Sequence, residues 1–226
     1  NTLRDLGKLE DAEISLREAI EHSPNYAIAH SNLGNILRDL GKLKGAEISL
    51  KNAIRLKPDS PKFHFDLGAI LIDLGKLQEA EISTRKAIEL KSNYTEAYNN
   101  LGTILKYLFK LHEAETAFLK AIEINNSFYD AFFNLSLLQL LQSDYHSGLN
   151  NYEFRFKQSK PIVPNAHSSL KRVNVNNLYK VKKLLVISEQ GLGDTLQFMR
   201  YVPYLRKKGL DISFCAQEKL HDLIKA

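Results

Sequence analysis

Apolar residues along most of this chain fall at helical spacing, three and four apart, with polar residues between them. In 27–60, Leu33, Gly34 and Leu37 share one face of a predicted helix, and Ala46, Leu50 and Ala53 share one face of the next. The same frame returns as Leu67, Gly68, Ala80 and Ala87, then as Leu101, Gly102, Ala114 and Ala121. Near residue 182 the pattern changes. "KKLLVIS" at Lys182–Ser188 is a short apolar run with β-branched members, the pattern of a buried strand. "EQGLGD" then reads as a turn, and a helix is expected from about Asp194 to Lys208 with Gly209 as its stop. "DISFCA" at Asp211–Ala216 reads as a second strand, and Glu218–Lys225 as the start of another helix.

The helical part is periodic. "LGKLEDAE" at Leu6, "LGKLKGAE" at Leu40 and "LGKLQEAE" at Leu74 are thirty-four residues apart. "LFKLHEAE" at Leu108 keeps the step, and "LQSDYHSG" at Leu141 sits one residue off the same frame, in degenerate form. A period of thirty-four built from two short helices resembles the tetratricopeptide repeat. Gly34 and Ala46 are small where the two helices approach, and a larger side chain there would cost roughly 1–3 kcal/mol in overpacking. Gly41 is expected in the tight turn between helices, and Pro58 stops the second helix. The divisions expected are a partial repeat at 1–26, repeats at 27–60, 61–94 and 95–128, and a degenerate repeat at 129–160, the array running to about 157. A linker at 158–180 follows, in which Val173 and Val175 could form a short strand. The first 26 residues read as a repeat cut in its middle. In the last repeat Ser136, Gly148 and Arg155 stand where one glycine and two alanines are expected, as in an end repeat with one face in water. "NYEFRF" at Asn151–Phe156 offers Tyr152, Phe154 and Phe156 for packing onto whatever follows, with helix core plus cap as the alternative.

Repeated first helices line a concave groove. Six positions into each repeat stand Asn32, Asp66, Asn100 and Asn134, a ladder able to donate to and accept from an extended peptide backbone. This resembles the asparagine ladder in the repeat region of O-GlcNAc transferases. Asp66 can only accept, and the ladder could equally bond neighbouring helices. Further groove candidates are Ser31, Asn35, Lys62, Phe65, Asn99, Lys106 and Tyr107. The expected partner is therefore a protein or peptide in the groove.

Charge modifies this picture only at the end of the chain. The net charge is +5, and residues 161–226 hold 11 Lys/Arg against 5 Asp/Glu, while the remainder is near neutral. Arg206, Lys207 and Lys208 close a predicted helix, where cations favour the carbonyl end of its dipole. Aromatic residues do not interleave with the basic ones as in RNA modules, which argues against a nucleic-acid partner. No apolar run reaches membrane-span length, and one cysteine, Cys215, excludes an internal disulfide and suits a reducing, cytoplasmic setting. No metal-binding spacing is present. The Asn-x-Ser/Thr triplets at Asn93, Asn125 and Asn134 read as compositional accidents.

Gly191 and Gly193 stand at a strand-to-helix turn, where bare amides attract anions, but Leu196 occupies the third glycine of a dinucleotide fingerprint. The bland role is a tight turn capped by Asp194 or Thr195. The longer string "EQGLGDTLQFMRYVPYLRKKG" resembles the opening of the first domain in bacterial proteins that join tetratricopeptide repeats to a GT-B-type glycosyltransferase related to heptosyltransferases. "NYEFRF" resembles the segment preceding such domains, with phenylalanines where tryptophans are usual. The resemblance implies that 181–226 begins that domain. It casts Asp194 as the base on an acceptor hydroxyl, with Gly191, Gly193 and Thr195 near acceptor or phosphate. It also implies a nucleotide-sugar donor for the parent enzyme, but no cofactor for this chain, which holds too little of the two-lobed fold to transfer sugar alone. The fold class expected is mostly α, a tetratricopeptide superhelix followed by a short βαβ, Rossmann-like stub. The alternative is a stand-alone adaptor whose tail only caps the array.

Overall fold

The computed structural model describes residues 8–159, 181–187 and 201–215. The chain divides into two units, 1–159 and 160–226.

The first unit is a run of antiparallel helix pairs. Helix α1 (Leu9–His22) precedes the pairs α2 (Ala27–Asp39) with α3 (Leu43–Leu56), and α4 (Pro61–Asp73) with α5 (Leu77–Leu90). The pairs α6 (Thr95–Tyr107) with α7 (Leu111–Ile124), and α8 (Tyr129–Leu141) with α9 (Tyr145–Tyr152), complete it. A single 3-10 turn, Glu153–Phe156, follows α9. Within the first three pairs the contact is close because the first helix carries glycine where it meets the second, at Gly34, Gly68 and Gly102, and in the last pair the glycine is Gly148 on the second helix, against Leu140. A Cβ on Gly34 would lie 2.9 Å from Leu50 Cγ and 3.2 Å from the Ala46 carbonyl oxygen. One on Gly102 would lie 2.6 Å from two atoms of the fully buried Phe118 ring. The core is a ladder of the periodic residues, among them Leu37, Leu50, Ile70, Leu71, Ile104 and Phe118, each nearly inaccessible. Burying one such side chain stabilises the array by about 1.5–3 kcal/mol.

The turn inside each pair needs a left-handed residue. Gly41 and Gly75 supply it at φ 73° and 72°, as the sequence leads one to expect for Gly41. In the next two pairs Phe109 (φ 57°) and Ser143 (φ 66°) take the same place despite their Cβ atoms. Helix α3 ends at Leu56, two residues before Pro58.

Two aromatic residues of "NYEFRF" pack back onto α8. Phe154 lies 4.4 Å from the ring of Phe132 and 5.5 Å from that of Tyr129, both on α8, and Tyr152 lies 5.6 Å from Phe133. Arg155 is buried where earlier repeats have alanine. Its guanidinium covers the rings of Tyr152 and Phe156 at 4.5 and 3.9 Å and pairs with Glu153 at 3.0 Å. Ser159 then donates its backbone N–H and its hydroxyl to Asp130, at 3.3 and 3.0 Å.

In the second unit, β1 (Lys183–Ile187) pairs in parallel with β2 (Asp211–Cys215), in register from Lys183 opposite Asp211 to Ile187 opposite Cys215. Helix α10 (Tyr201–Lys207) lies between them in the chain, and Gly209 takes φ 87° at its stop. Arg206 closes this corner by donating to the Ile212 carbonyl at 3.1 Å. The described residues therefore hold a two-stranded parallel sheet with no clear Rossmann stub, because two strands and one short helix fall short of a parallel sheet covered on both faces. Most of the expected linker, with Val173 and Val175, lies outside the described residues.

Candidate functional site

Successive first helices touch one another directly, α2 with α4, α4 with α6 and α6 with α8, while successive second helices have no comparable contact. The first helices are therefore the inner row, and their exposed faces form the groove.

Side chains one repeat apart are bonded along this row. Asp66 on α4 accepts from Asn35 at 3.1 Å and from Ser31 at 3.5 Å, both on α2, and its own helix adds Lys62. Arg38 pairs with Asp73 at 2.5 Å. Asn134 on α8 donates to the Asn99 side-chain oxygen on α6 at 2.9 Å. The four ladder positions thus divide by role. Asp66 and Asn134 are spent on neighbouring helices, while the partly buried carboxamides of Asn32 and Asn100 have no hydrogen-bond partner among the described residues. Neither amide is sealed from solvent, so water meets its hydrogen-bonding capacity and a ligand can replace that water.

The array also carries an aromatic pair and a half-buried cation. Phe65 and Tyr94 face each other with ring centroids 5.0 Å apart, and the Lys91 amine sits 4.5 Å over the Tyr94 ring. Burial, then the charges of Asp66 and Glu96, push the Tyr94 phenol up to about 12, so it remains a neutral donor and acceptor at any physiological pH. Lys106 is half-buried, and burial holds its ammonium below the usual lysine value. Its amine lies 5.4 Å over the exposed Tyr107 ring and has no carboxylate partner among the described residues. Tyr94 was not among the sequence candidates. It stands at the helix entry, just before Thr95, outside the six-position frame that marks the ladder.

The other predicted site residues, Asp194, Gly191, Gly193 and Thr195, lie outside the described residues. Among the described residues no cluster of His, Cys, Asp and Glu could hold a metal ion, and no helix is long and apolar enough to cross a membrane.

Two tetratricopeptide-repeat family models match residues 1–37 with 34–75, and 61–94 with 95–128. The chain is a tetratricopeptide-repeat protein. Among solved structures, MamA superposes with a TM-score of 0.62 at 23% identity, covering 68% of this chain and 90% of its own. YrrB, described as a repeat protein with an unusual peptide-binding site, gives 0.56 at 26% identity over 70% of this chain and 79% of its own. The first repeat domain of Spaghetti, solved with an HSP90 peptide, gives 0.50 at 23% identity over 52% of this chain and 93% of its own. No curated protein matches the chain.

Proposed function

We propose that the array is a protein-interaction scaffold that takes an extended peptide along its inner row of helices. The observation that carries this reading is the pair of carboxamides, Asn32 and Asn100, without a hydrogen-bond partner among the described residues, in a row where the equivalent Asp66 and Asn134 are bonded to the neighbouring helix. Each offers one donor and one acceptor to a peptide backbone of any sequence. Phe65, Tyr94 and Tyr107 supply flat apolar contact, and Lys106 favours a carboxylate on the bound segment. Peptide binding by YrrB and by the Spaghetti domain is consistent with this use of the fold. Selection from a displayed library of short peptides, followed by calorimetry, tests it. Asn32→Ala with Asn100→Ala should weaken the selected peptides about tenfold or more, the worth of two hydrogen bonds, without loss of helicity. Unchanged affinity would remove the ladder from the mechanism.

For the parent protein we propose a glycosyltransferase whose repeats present the acceptor. The support is the resemblance of "EQGLGDTLQFMRYVPYLRKKG" to the opening of a GT-B-type domain. In this reading Asp194 takes the proton from the acceptor hydroxyl, Gly191, Gly193 and Thr195 approach acceptor or phosphate, and a nucleotide-sugar is the donor. Described strands β1 and β2 contribute only scaffold. The full-length product of the parent gene should transfer label from a UDP-sugar or ADP-heptose, and Asp194→Asn should abolish the transfer. Absence of transfer with every such donor would leave the adaptor reading. The present chain alone should show no heat on titration with these donors.

A further inference from the structure

The outer row of second helices carries a feature that peptide binding in the groove does not use. Ile14, Ile48 and Ile82 occupy the same place in three successive repeats and are 57%, 62% and 71% exposed. Exposed isoleucine at a fixed thirty-four-residue step forms a stripe rather than a scatter. Beside it are two cavities in matching register. One, of about 400 Å³, lies between α3 and α5 over α4, with Ile54, Leu67, Leu71 and Ile82 in its lining. Its counterpart one repeat earlier, of about 340 Å³, lies between α1 and α3 over α2, with Ile20, Leu33 and Ile48. The stripe ends at Thr116 on α7.

The exposed charges flanking the stripe differ between adjacent helices. On α1 they are Glu10, Asp11, Glu18 and Glu21 against Arg17. On α3 they are Lys44, Lys51 and Arg55, the one carboxylate, Glu47, being buried between Lys51 and Lys76. Among the described residues, Glu10, Asp11, Glu18, Glu21, Lys44 and Arg55 have no ion-pair partner, so the two helices do not neutralise each other's outer charges.

We propose that this face binds a second copy of the chain through a two-fold contact, with α1 of each copy against α3 of the other. A face with an acidic strip beside a basic one is self-complementary under two-fold rotation, the requirement for an isologous interface. In that arrangement Ile14 of one copy meets Ile48 of the other, beside the smaller cavity, and four acidic heads face three basic ones on both sides of the axis. The apolar stripe supplies the attraction and the charges fix the register.

Sedimentation of the full chain at about 100 µM tests the contact. The wild type should sediment at twice the chain mass, and Ile48→Ser should halve it. Two further variants, Lys44→Glu with Arg55→Glu, and Glu18→Lys with Glu21→Lys, should each be monomeric, with helicity unchanged in circular dichroism because these side chains are exposed and unpaired. An equimolar mixture of those two variants should regain the doubled mass, since each then presents the sign the other requires. The groove variant Asn32→Ala with Asn100→Ala should remain a dimer, which keeps the outcome separate from that of peptide binding. A wild-type monomer would overturn the proposal and leave the stripe to a partner of different sequence. A dimer indifferent to Ile48→Ser or to the charge reversals would equally overturn it.

Discussion

The front repeats, 27–94, and the back repeats, 95–156, share a backbone but hold it together by different means. In the front, glycine makes the turn inside each pair at Gly41 and Gly75. In the back, Phe109 and Ser143 adopt the same left-handed conformation, and Phe109 leaves its ring 82% exposed. Carboxylates tie successive repeats together through the front: Glu13 to Lys42 at 2.6 Å, Glu47 to Lys76 at 2.8 Å and Glu81 to Lys110 at 2.9 Å, each with a second cation four residues along its own helix. The tie stops at Glu115, because Asp144 replaces the next lysine and instead caps α9 by accepting from the Ser147 backbone N–H at 3.1 Å. There the array changes to an aromatic cap built on Phe132, Phe154 and Arg155. Glycine turns thus serve the two front pairs, the ion tie runs on as far as Lys110, and the aromatic cluster takes over in the last pair.

The sharpest way to break this comparison is at the helix contact. Gly102→Ala places a methyl 2.6 Å from the Phe118 ring, and Gly68→Ala places one 2.4 Å from the Thr84 hydroxyl. The rigid ring must shift, so Gly102→Ala should cost about 1–3 kcal/mol, less the gain in helix propensity. Gly68→Ala should cost less, since Thr84 can turn a smaller group toward the intruder. Urea midpoints of equal size would show that the two contacts are equally stiff.

Thr84 gives the next largest effect. It is fully buried and its hydroxyl has no hydrogen-bond partner among the described residues, at a place held by Leu50 and Phe118 in the flanking repeats. Thr84→Val should raise unfolding free energy by about 1 kcal/mol, because the isosteric methyl needs no partner. A loss of stability on urea unfolding would mean that the hydroxyl is satisfied in solution. Phe109→Gly should stabilise by about 1 kcal/mol by relieving the left-handed strain while removing little buried area. A fall in Tm would show instead that the exposed ring contributes to folding.

The smallest effect is the response to acid. Hydrogen bonding to Lys42 and then Arg17 holds the Glu13 carboxyl below its ordinary value, and Lys51 and then Lys76 do the same for Glu47. Burial pushes Glu81 up, but Lys110 and Arg85 outweigh it and the net direction is down. A carboxylate depressed in the folded state contributes stability above its unfolded pKa, about 4.3, and loses it as pH falls through the folded value. Tm should therefore drop below about pH 4.5, and replacing Lys42, Lys76 and Lys110 with Met should make that drop shallower. Identical acid limbs in calorimetry would exclude these ties as its cause.

The helix pairs, their thirty-four-residue step, the small residues at their contacts and the parallel strands at 183–187 and 211–215 were legible in the sequence. Each follows from spacing along one stretch of chain, and a periodic pattern specifies a periodic core. What spacing could not assign was the use of individual polar side chains. Asn100 and Asn134 occupy equivalent positions, yet Asn134 is bonded to Asn99 while Asn100 has no hydrogen-bond partner among the described residues, because residue 65 is Phe and offers a ring where Asn99 offers a carboxamide. Tyr94 entered the groove, and Phe154 folded back onto α8, for the same reason: both depend on which neighbour lies across the gap, a relation between repeats that no single repeat contains. Local pattern determined the scaffold. Only the stacking of unlike repeats decided which groups on it remain available to bind.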